Sequence, residues 1–176
     1  PARQVALGAG LSNHTPSTTI NKVCASGMKA VTMAAQAIKA GDVDVIVAGG
    51  MENMSSVPHY LDGRNGVKLG DIKMQDGLVK DGLTDVYNKT HMGVCSELCA
   101  KENDITREEQ DAFACASQNK AEAAQKAGKF KDEIAAVTVA SRKGDVVVDQ
   151  DEYIKAGTTI ETLAKLRPAF SKEGTV

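Results

Sequence analysis

The chain has 176 residues, of which 42% are hydrophobic, 25% charged and 3% aromatic. Its 21 basic and 23 acidic side chains leave a net charge of −2, which excludes a basic nucleic-acid interface and a polybasic membrane-binding patch. The apolar content is too high for a disordered chain, and no apolar run is long enough to span a bilayer. We therefore expect a soluble globular protein of one domain, or one domain and part of another.

Cysteine usage indicates the compartment. The four cysteines are few for this length and none lies in a CxxC pair, so a disulfide framework is not expected. No targeting peptide is recognisable at the start of the chain. A reducing compartment, most simply the cytoplasm, is predicted.

The first fifty residues have the pattern of a βαβ unit. Residues 18–23 are rich in β-branched side chains and predict a strand. Ser26 is a suitable helix N-cap, and apolar side chains then recur at helical spacing up to Gly41. Residues 43–48 predict a second strand. Such a unit implies two parallel strands flanking a buried helix.

Residues 51–85 keep neither a helical nor a strand period and contain many glycines. A loop of this length in a compact protein usually serves function or assembly. Helices are predicted over about 93–102 and, after a capping box of Thr106 and Glu109, to about Ala127.

The remainder predicts a hairpin and a short helix. Residues 134–139 and 146–148 have strand composition on either side of a turn at 143–145. A short helix is predicted after residues 156–159, and it ends at 166–168, where proline cannot continue it.

Cys24 is the first candidate for chemistry. It lies between the β-branched run and the predicted helix, where free N–H groups and the helix dipole favour negative charge. A thiol there is a candidate nucleophile, although most free cysteines are small buried hydrophobes. Position alone leaves both interpretations open.

His91, Cys95 and Cys99 recur every four residues and form one helical stripe. No second cluster completes a tetrahedral metal site, so core packing is the preferred interpretation and no metal is expected. Residues 91–93 (HMG) stand at a predicted helix start, where they either line a pocket or cap the helix.

Several segments resemble signatures of the thiolase family. Residues 21–30 (NKVCASGMKA) are similar to the segment of its nucleophilic cysteine, and residues 47–55 (VAGGMENMS) to its V-A-G-G-M-E-[SN]-M-S signature. Further matches follow in family order at 80–85, 91–93, 109–113 and 165–170. The resemblance implies an α/β fold of layered αβαβα type. It also implies that residues 1–53 belong to the N-terminal domain and residues 54–176 to an inserted loop domain.

The resemblance further implies the site. Cys24 matches the cysteine that is acylated by acyl-CoA, which makes the chain part of an enzyme. The substrate-binding and coenzyme A-binding positions are Leu83, His91, Met92, Lys155 and Thr162. Coenzyme A and acyl-CoA enter as substrates, and no separate cofactor is expected. The family's G-H-P and C-x-G-G-G motifs do not occur in these 176 residues, so the chain alone is expected to be an incomplete catalyst.

The implied reaction is the condensation of two acetyl-CoA to acetoacetyl-CoA, or the reverse thiolysis, in a bacterial biosynthetic-like member of the family. Residues 91–93 favour it over a degradative 3-ketoacyl-CoA thiolase. A non-catalytic module that binds coenzyme A or supports assembly is the alternative of another class. Related thiolases use the loop corresponding to residues 55–74 to join dimers into homotetramers. Gln118 stands where some members have a potassium-site tyrosine, so potassium activation is not expected.

Overall fold

Five helices carry most of the regular structure in the computed structural model, which describes residues 1–176. They are α1 (Ala2–Gly8), α2 (Ser26–Ala40), α3 (Met92–Glu102), α4 (Arg107–Lys126) and α5 (Ile160–Leu163). The strands are short: β1 (His59–Tyr60), β2 (Gln75–Asp76), β3 (Thr84–Asp85), β4 (Thr90–His91), β5 (Val137–Val139) and β6 (Val146–Val148). Single turns of 3₁₀-helix cover Met54–Ser56 and Lys131–Glu133, and a π-helix covers Leu78–Leu83. The chain forms two units, Pro1–Lys89 and Thr90–Val176.

Helix α2 dominates the first unit, and its end confirms the sequence prediction. Gly41 adopts φ 78°, the left-handed conformation that glycine accepts without a Cβ clash. The beginning differs from the prediction, because Ala25 rather than Ser26 is the N-cap. The Ser26 hydroxyl instead accepts a hydrogen bond from the Lys22 N–H and donates one to the Val23 carbonyl. Its bonding capacity is used by the preceding turn.

The two predicted strands beside α2 do not form in this chain. Apart from an isolated bridge between Lys22 and Cys24, residues 18–23 have no strand pairing, and residues 43–48 have none. Val45 and Val47 are 84% and 91% exposed. A strand requires a neighbour with which to exchange backbone hydrogen bonds, and these segments have no such neighbour here. The predicted parallel βαβ unit is therefore wrong for this chain.

Two glycines allow the chain to cross the start of α2. A Cβ added to Gly50 would lie 3.0 Å from the Cα of Gly27, and one added to Gly27 would lie 3.6 Å from the Cα of Gly50. The first distance is shorter than ordinary carbon packing. The backbone after residues 43–48 can therefore approach the first turn of α2 only because position 50 carries no side chain.

The long loop of the first unit contains one strand pair. Strands β1 and β2 are antiparallel, with His59 opposite Asp76 and Tyr60 opposite Gln75. The Gly77 N–H donates to the Pro58 carbonyl at 3.1 Å and closes this pair. The rest of residues 51–74 is irregular apart from the 3₁₀ turn, as the missing periodicity predicts.

In the second unit, local sequence signals are confirmed. The Thr106 hydroxyl accepts from the Glu109 N–H at 3.2 Å, and the Glu109 carboxylate accepts from the Thr106 N–H at 2.8 Å. This capping box starts α4. Strands β5 and β6 form the predicted antiparallel hairpin, with Val137 opposite Val148. Its turn contains Gly144 at φ 113°.

Arg107 on α4 joins this helix to α5, and a partly buried ion pair within α4 positions its guanidinium. The Arg107 guanidinium lies 2.9 Å from the buried Asp111 carboxylate and also donates to the carbonyls of Leu163 and Leu166. These carbonyls lie at the last residue of α5 and just beyond it, where a helix lacks internal donors. Arg107 therefore fixes the end of α5 against α4.

Most apolar side chains remain exposed. The chain exposes 14929 Å², whereas a folded monomer of its 18.5 kDa exposes about 8,200 Å². The buried residues are few: Ala6, Ala100, Asp111 and Cys115, together with Gly77 and Gly93. None of the helices combines the length and apolar content needed to cross a membrane.

The approach of Gly27 and Gly50 makes a testable prediction. Gly50→Ala should lower the free energy of unfolding by about 1–3 kcal/mol, because the added methyl group overpacks against the Gly27 backbone. Gly49→Ala is the matched control, since nothing lies within 4 Å of a Cβ at that position. Urea unfolding of both variants measures the difference. Equal destabilisation by the two substitutions would contradict the importance of this approach.

Candidate active site

Cys24 lies on a tight turn immediately before α2, and its side chain is exposed. Val23 precedes it with φ 48°, a left-handed conformation that is unfavourable for a β-branched residue. The Asn21 Oδ1 atom accepts from the Val23 N–H at 2.8 Å, and the Ser26 hydroxyl donates to the Val23 carbonyl at 2.6 Å. Side-chain hydrogen bonds on both sides of Val23 therefore hold the unusual conformation.

The chemistry available at this turn is nucleophilic. A thiolate is the reactive form of cysteine, and the N-terminal end of a helix favours negative charge through its free N–H groups and its dipole. Helix α2 has 15 residues, long enough for this effect. The Cys24 thiol is therefore exposed rather than buried, and it remains a candidate nucleophile.

The other cysteines differ in exposure. Cys115 is buried and donates to the Thr158 carbonyl, whereas Cys95 is half-buried. Cys99 is exposed, so the expectation that it packs in a core is wrong. On α3 the Cys99 side chain faces outward next to Asn103, whose side-chain amide donates to the Cys99 carbonyl.

His91 caps helix α3 in the second unit. Its Nδ1 atom accepts a hydrogen bond from the Gly93 N–H at 3.0 Å. In a neutral imidazole the proton must then reside on Nε2, which leaves Nε2–H as a donor. Met92, the next residue, is 48% exposed. The capping role is confirmed, and the hydrogen bond fixes the orientation of the His91 ring.

Phe170 completes this group of side chains. Its ring stacks on the His91 ring with a centroid distance of 5.2 Å and an interplanar angle of 25°. The same ring occupies the space where a Cβ of Gly93 would lie. Glycine at position 93 is therefore required for the ring to sit over the first turn of α3. Sequence reasoning did not assign a role to Phe170, although an aromatic side chain is rare in this chain.

Lys155 and Thr162 lie on the segment that follows β6. The Lys155 ammonium lies 5.1 Å from the centroid of the Tyr153 ring, an exposed cation–π contact. The Thr162 hydroxyl accepts from the Thr159 N–H at 3.1 Å and forms a capping box at the start of α5. Both residues therefore have local structural partners, and their predicted contacts with coenzyme A stay predictions.

Helix α4 fixes the Lys155 segment through side-chain contacts with its backbone. The Gln118 Oε1 atom accepts from the Lys155 N–H at 2.9 Å, and the Glu122 carboxylate accepts from the Gly157 N–H at 2.9 Å. The pKa of Glu122 is lowered, chiefly by its hydrogen bond with the Lys126 side chain and also by that from the Gly157 N–H. Gln118 thus has a structural partner in the chain, while the prediction against potassium activation stays a prediction.

Leu83 lies at the end of the π-helix in the first unit and is half-buried. The second unit brings His91, Met92 and Phe170 together at the start of α3. Lys155 and Thr162 lie on a separate segment of that unit.

Comparison with known proteins decides the family. The family model described as thiolase, N-terminal domain, matches residues 1–176. The chain belongs to the thiolase family. An α/β fold of the thiolase type follows from this membership.

Curated relatives agree with the assignment. The chain is 58% identical over 176 residues to the acetyl-CoA acetyltransferase of Rhizobium meliloti (strain 1021). It is 57% identical over 178 residues to the enzyme of that name from Cupriavidus necator, and 53% identical over 178 residues to that of Pseudomonas aeruginosa. Each alignment covers 100% of this chain and 45% of the relative. The chain thus spans about half the length of the curated relatives it matches.

Cysteine exposure in this thiolase chain predicts an order of alkylation. Cys24 should react fastest with iodoacetamide, because it is exposed at the start of a helix, and buried Cys115 should react slowest. Exposed Cys99, which lies at the C-terminal half of α3, provides the internal control for exposure alone. Timed labelling followed by peptide mass spectrometry measures each rate. Faster labelling of Cys99 than of Cys24 would show that exposure rather than helix position governs reactivity.

Proposed function

We propose that this chain carries the nucleophile of an acetyl-CoA acetyltransferase, which condenses two acetyl-CoA to acetoacetyl-CoA or catalyses the reverse thiolysis. The observation that supports it best is the exposed Cys24 on its constrained turn, within a chain of the thiolase family. The names of the relatives agree with this substrate class. Acyl-CoA is the proposed partner, and no separate cofactor or metal enters the reaction.

The proposed reaction has two stages. The Cys24 thiolate attacks the carbonyl carbon of acetyl-CoA, the thioester C–S bond breaks, and coenzyme A leaves as the thiol after gaining a proton. A second acetyl-CoA then loses a proton from its methyl carbon, and this carbon attacks the Cys24 thioester. The new C–C bond yields acetoacetyl-CoA and returns the thiolate. Covalent catalysis thus divides one difficult transfer into two easier steps.

Two groups of residues are proposed to bind the substrate. Leu83, His91 and Met92 contact the acyl end and its pantetheine arm, where shape determines which chain fits. The fixed Nε2–H donor of His91 supports such a role. Lys155 and Thr162 contact the nucleotide end, where an exposed ammonium attracts phosphate. The G-H-P and C-x-G-G-G motifs, absent from residues 1–176, supply the proton transfers in thiolases that this chain resembles.

We propose the family's layered αβαβα arrangement for the whole protein, with residues 1–53 in the N-terminal domain and residues 54–176 in the loop domain. Residues 43–48 become a paired strand in that arrangement, which accounts for their exposed valines. Residues 55–74 are proposed to join dimers into a homotetramer, and the location is proposed to be cytoplasmic.

Replacement of the nucleophile tests the function directly. In the protein expressed from its whole reading frame, Cys24→Ala should lower the rate of acetoacetyl-CoA thiolysis at least about a thousandfold, because no other group forms the thioester. Cys99→Ala is the matched control and should retain the rate, since its thiol is also exposed. The assay follows the loss of acetoacetyl-CoA with and without coenzyme A. An active Cys24→Ala protein, or an inactive wild type, would contradict the proposal.

The proposed orientation of the ligand gives a separate prediction. Lys155→Ala should weaken coenzyme A binding less than about tenfold, because an exposed charge pair contributes about 0.2–1 kcal/mol. Met92→Ala should change the preference between acetyl-CoA and longer acyl-CoA more than it changes binding of free coenzyme A. Lys143→Ala, which removes an exposed charge from the β5–β6 turn, is the control.

Calorimetry of coenzyme A binding and kcat/KM across chain lengths measure the two effects. If Lys155→Ala altered the chain-length preference while Met92→Ala altered only coenzyme A binding, the orientation would be reversed.

A further inference from the structure

Glu97 on α3 holds the backbone at residues 175 and 176. Its Oε2 atom accepts a hydrogen bond from the Thr175 N–H at 2.9 Å, and its Oε1 atom accepts one from the Val176 N–H at 3.0 Å. The side chain is half-buried, and both oxygens bond to backbone amides rather than to a basic side chain. Hydrogen bonds to a carboxylate are stronger than those between neutral groups.

The segment 169–176 is closed by further contacts. The Val176 carbonyl accepts from the Ala169 N–H at 2.9 Å, so the two ends of the segment are joined. The Gln110 amide on α4 donates to the Thr175 hydroxyl at 2.9 Å. A Cβ at Gly174 would overlap the Glu97 carboxylate, so the backbone passes directly against it. The segment is therefore attached to both α3 and α4.

This closed segment carries Phe170, the residue next to the fixed Ala169 amide. The Phe170 ring stacks on His91 and covers Gly93, although it is 43% exposed. Because the ring is not deeply buried, packing alone does not fix its position. Its place over His91 depends on where residues 169–176 are held.

We propose that Glu97 is a positioning residue of the acyl-CoA site: by binding the Thr175 and Val176 amides it fixes the 169–176 segment and keeps Phe170 against His91. Glu97 touches neither His91 nor substrate in this account and acts through Phe170. The inference rests on the proposed function for the role of His91, while the clamp itself is a property of the fold.

Four variants of the protein expressed from its whole reading frame test the clamp. Glu97→Ala removes both acceptors, and Glu97→Gln keeps one acceptor while turning an NH₂ group toward the other amide. Glu102→Gln is the matched control, because Glu102 ends the same helix, is exposed and makes no side-chain hydrogen bond. Phe170→Leu serves as the reference for a lost stack.

The first readout is nuclear magnetic resonance of the histidine rings, which needs no activity. The His91 ring signals are assigned as those that disappear in a His91→Gln variant. Stacking on Phe170 shifts the His91 ring protons upfield. Glu97→Ala should move these signals toward their positions in Phe170→Leu, and Glu97→Gln part of the way, whereas Glu102→Gln should leave them unchanged.

The second readout is the kinetics with acetyl-CoA. Glu97→Ala should raise KM about three- to tenfold and leave kcat within about twofold, because substrate positioning is loosened while Cys24 chemistry is untouched. Glu97→Gln should give a smaller rise in KM. If Glu97→Ala does not fold, Glu97→Gln decides the matter by the same two measurements.

The outcomes separate this inference from the proposed function. If folded Glu97→Ala leaves the His91 signals unchanged, the clamp is overturned, even if the protein is an active thiolase. Glu97→Gln replaces Glu97→Ala in this test if Glu97→Ala does not fold. If Glu97→Ala shifts the His91 signals but the wild-type protein lacks thiolase activity, the clamp stands and the proposed function is overturned. A large fall in kcat with KM unchanged would also overturn the positioning role.

Discussion

The left-handed conformation of Val23 is the constraint on which the candidate nucleophile depends. A β-branched residue at φ 48° costs about 1–3 kcal/mol, and this conformation persists only where its surroundings hold it. Here Asn21 binds its N–H and Ser26 binds its carbonyl, so both peptide groups of Val23 are fixed. Gly27, in the first turn of α2, accepts the close passage of Gly50. Together these contacts set the turn that exposes Cys24.

Helix α4 has the corresponding role in the second unit. Its capped first turn and its length of 20 residues make it a rigid support. Side chains along it bind backbone groups of the Lys155 segment, and Arg107 binds the carbonyls at and beyond the end of α5. Side chains of a helix thus hold irregular backbone in place, because they bond backbone groups that have no partner within their own segment.

Local signals in the sequence predicted much of this structure. The Thr106–Glu109 capping box, the glycine that ends α2 and the β5–β6 hairpin all depend on neighbours a few residues apart. Residues 18–23 and 43–48 were predicted wrongly because strand formation depends on a partner that composition cannot supply. Ser26 was predicted as a cap, but the hydroxyl serves the Cys24 turn instead.

The candidate site divides in the same way. The position of Cys24 before a helix is a local property and could be predicted, as could His91 at the start of α3. The stack of Phe170 on His91 joins residues 79 positions apart, and no periodic pattern reports such a contact. The bonds from Glu97 to the Thr175 and Val176 amides are equally non-local. Motif similarity identified the protein family, whereas only the structure shows which of these side chains are in contact.

The formation of an acyl-enzyme tests the central claim most directly. The protein from its whole reading frame is incubated briefly with acetyl-CoA, quenched in acid and digested, and its cysteine peptides are analysed by mass spectrometry. We expect an acetyl group on the Cys24 peptide that disappears when free coenzyme A is added before the quench. Acetylation confined to another cysteine, or no acetylation of Cys24 while acetoacetyl-CoA is still formed, would contradict it.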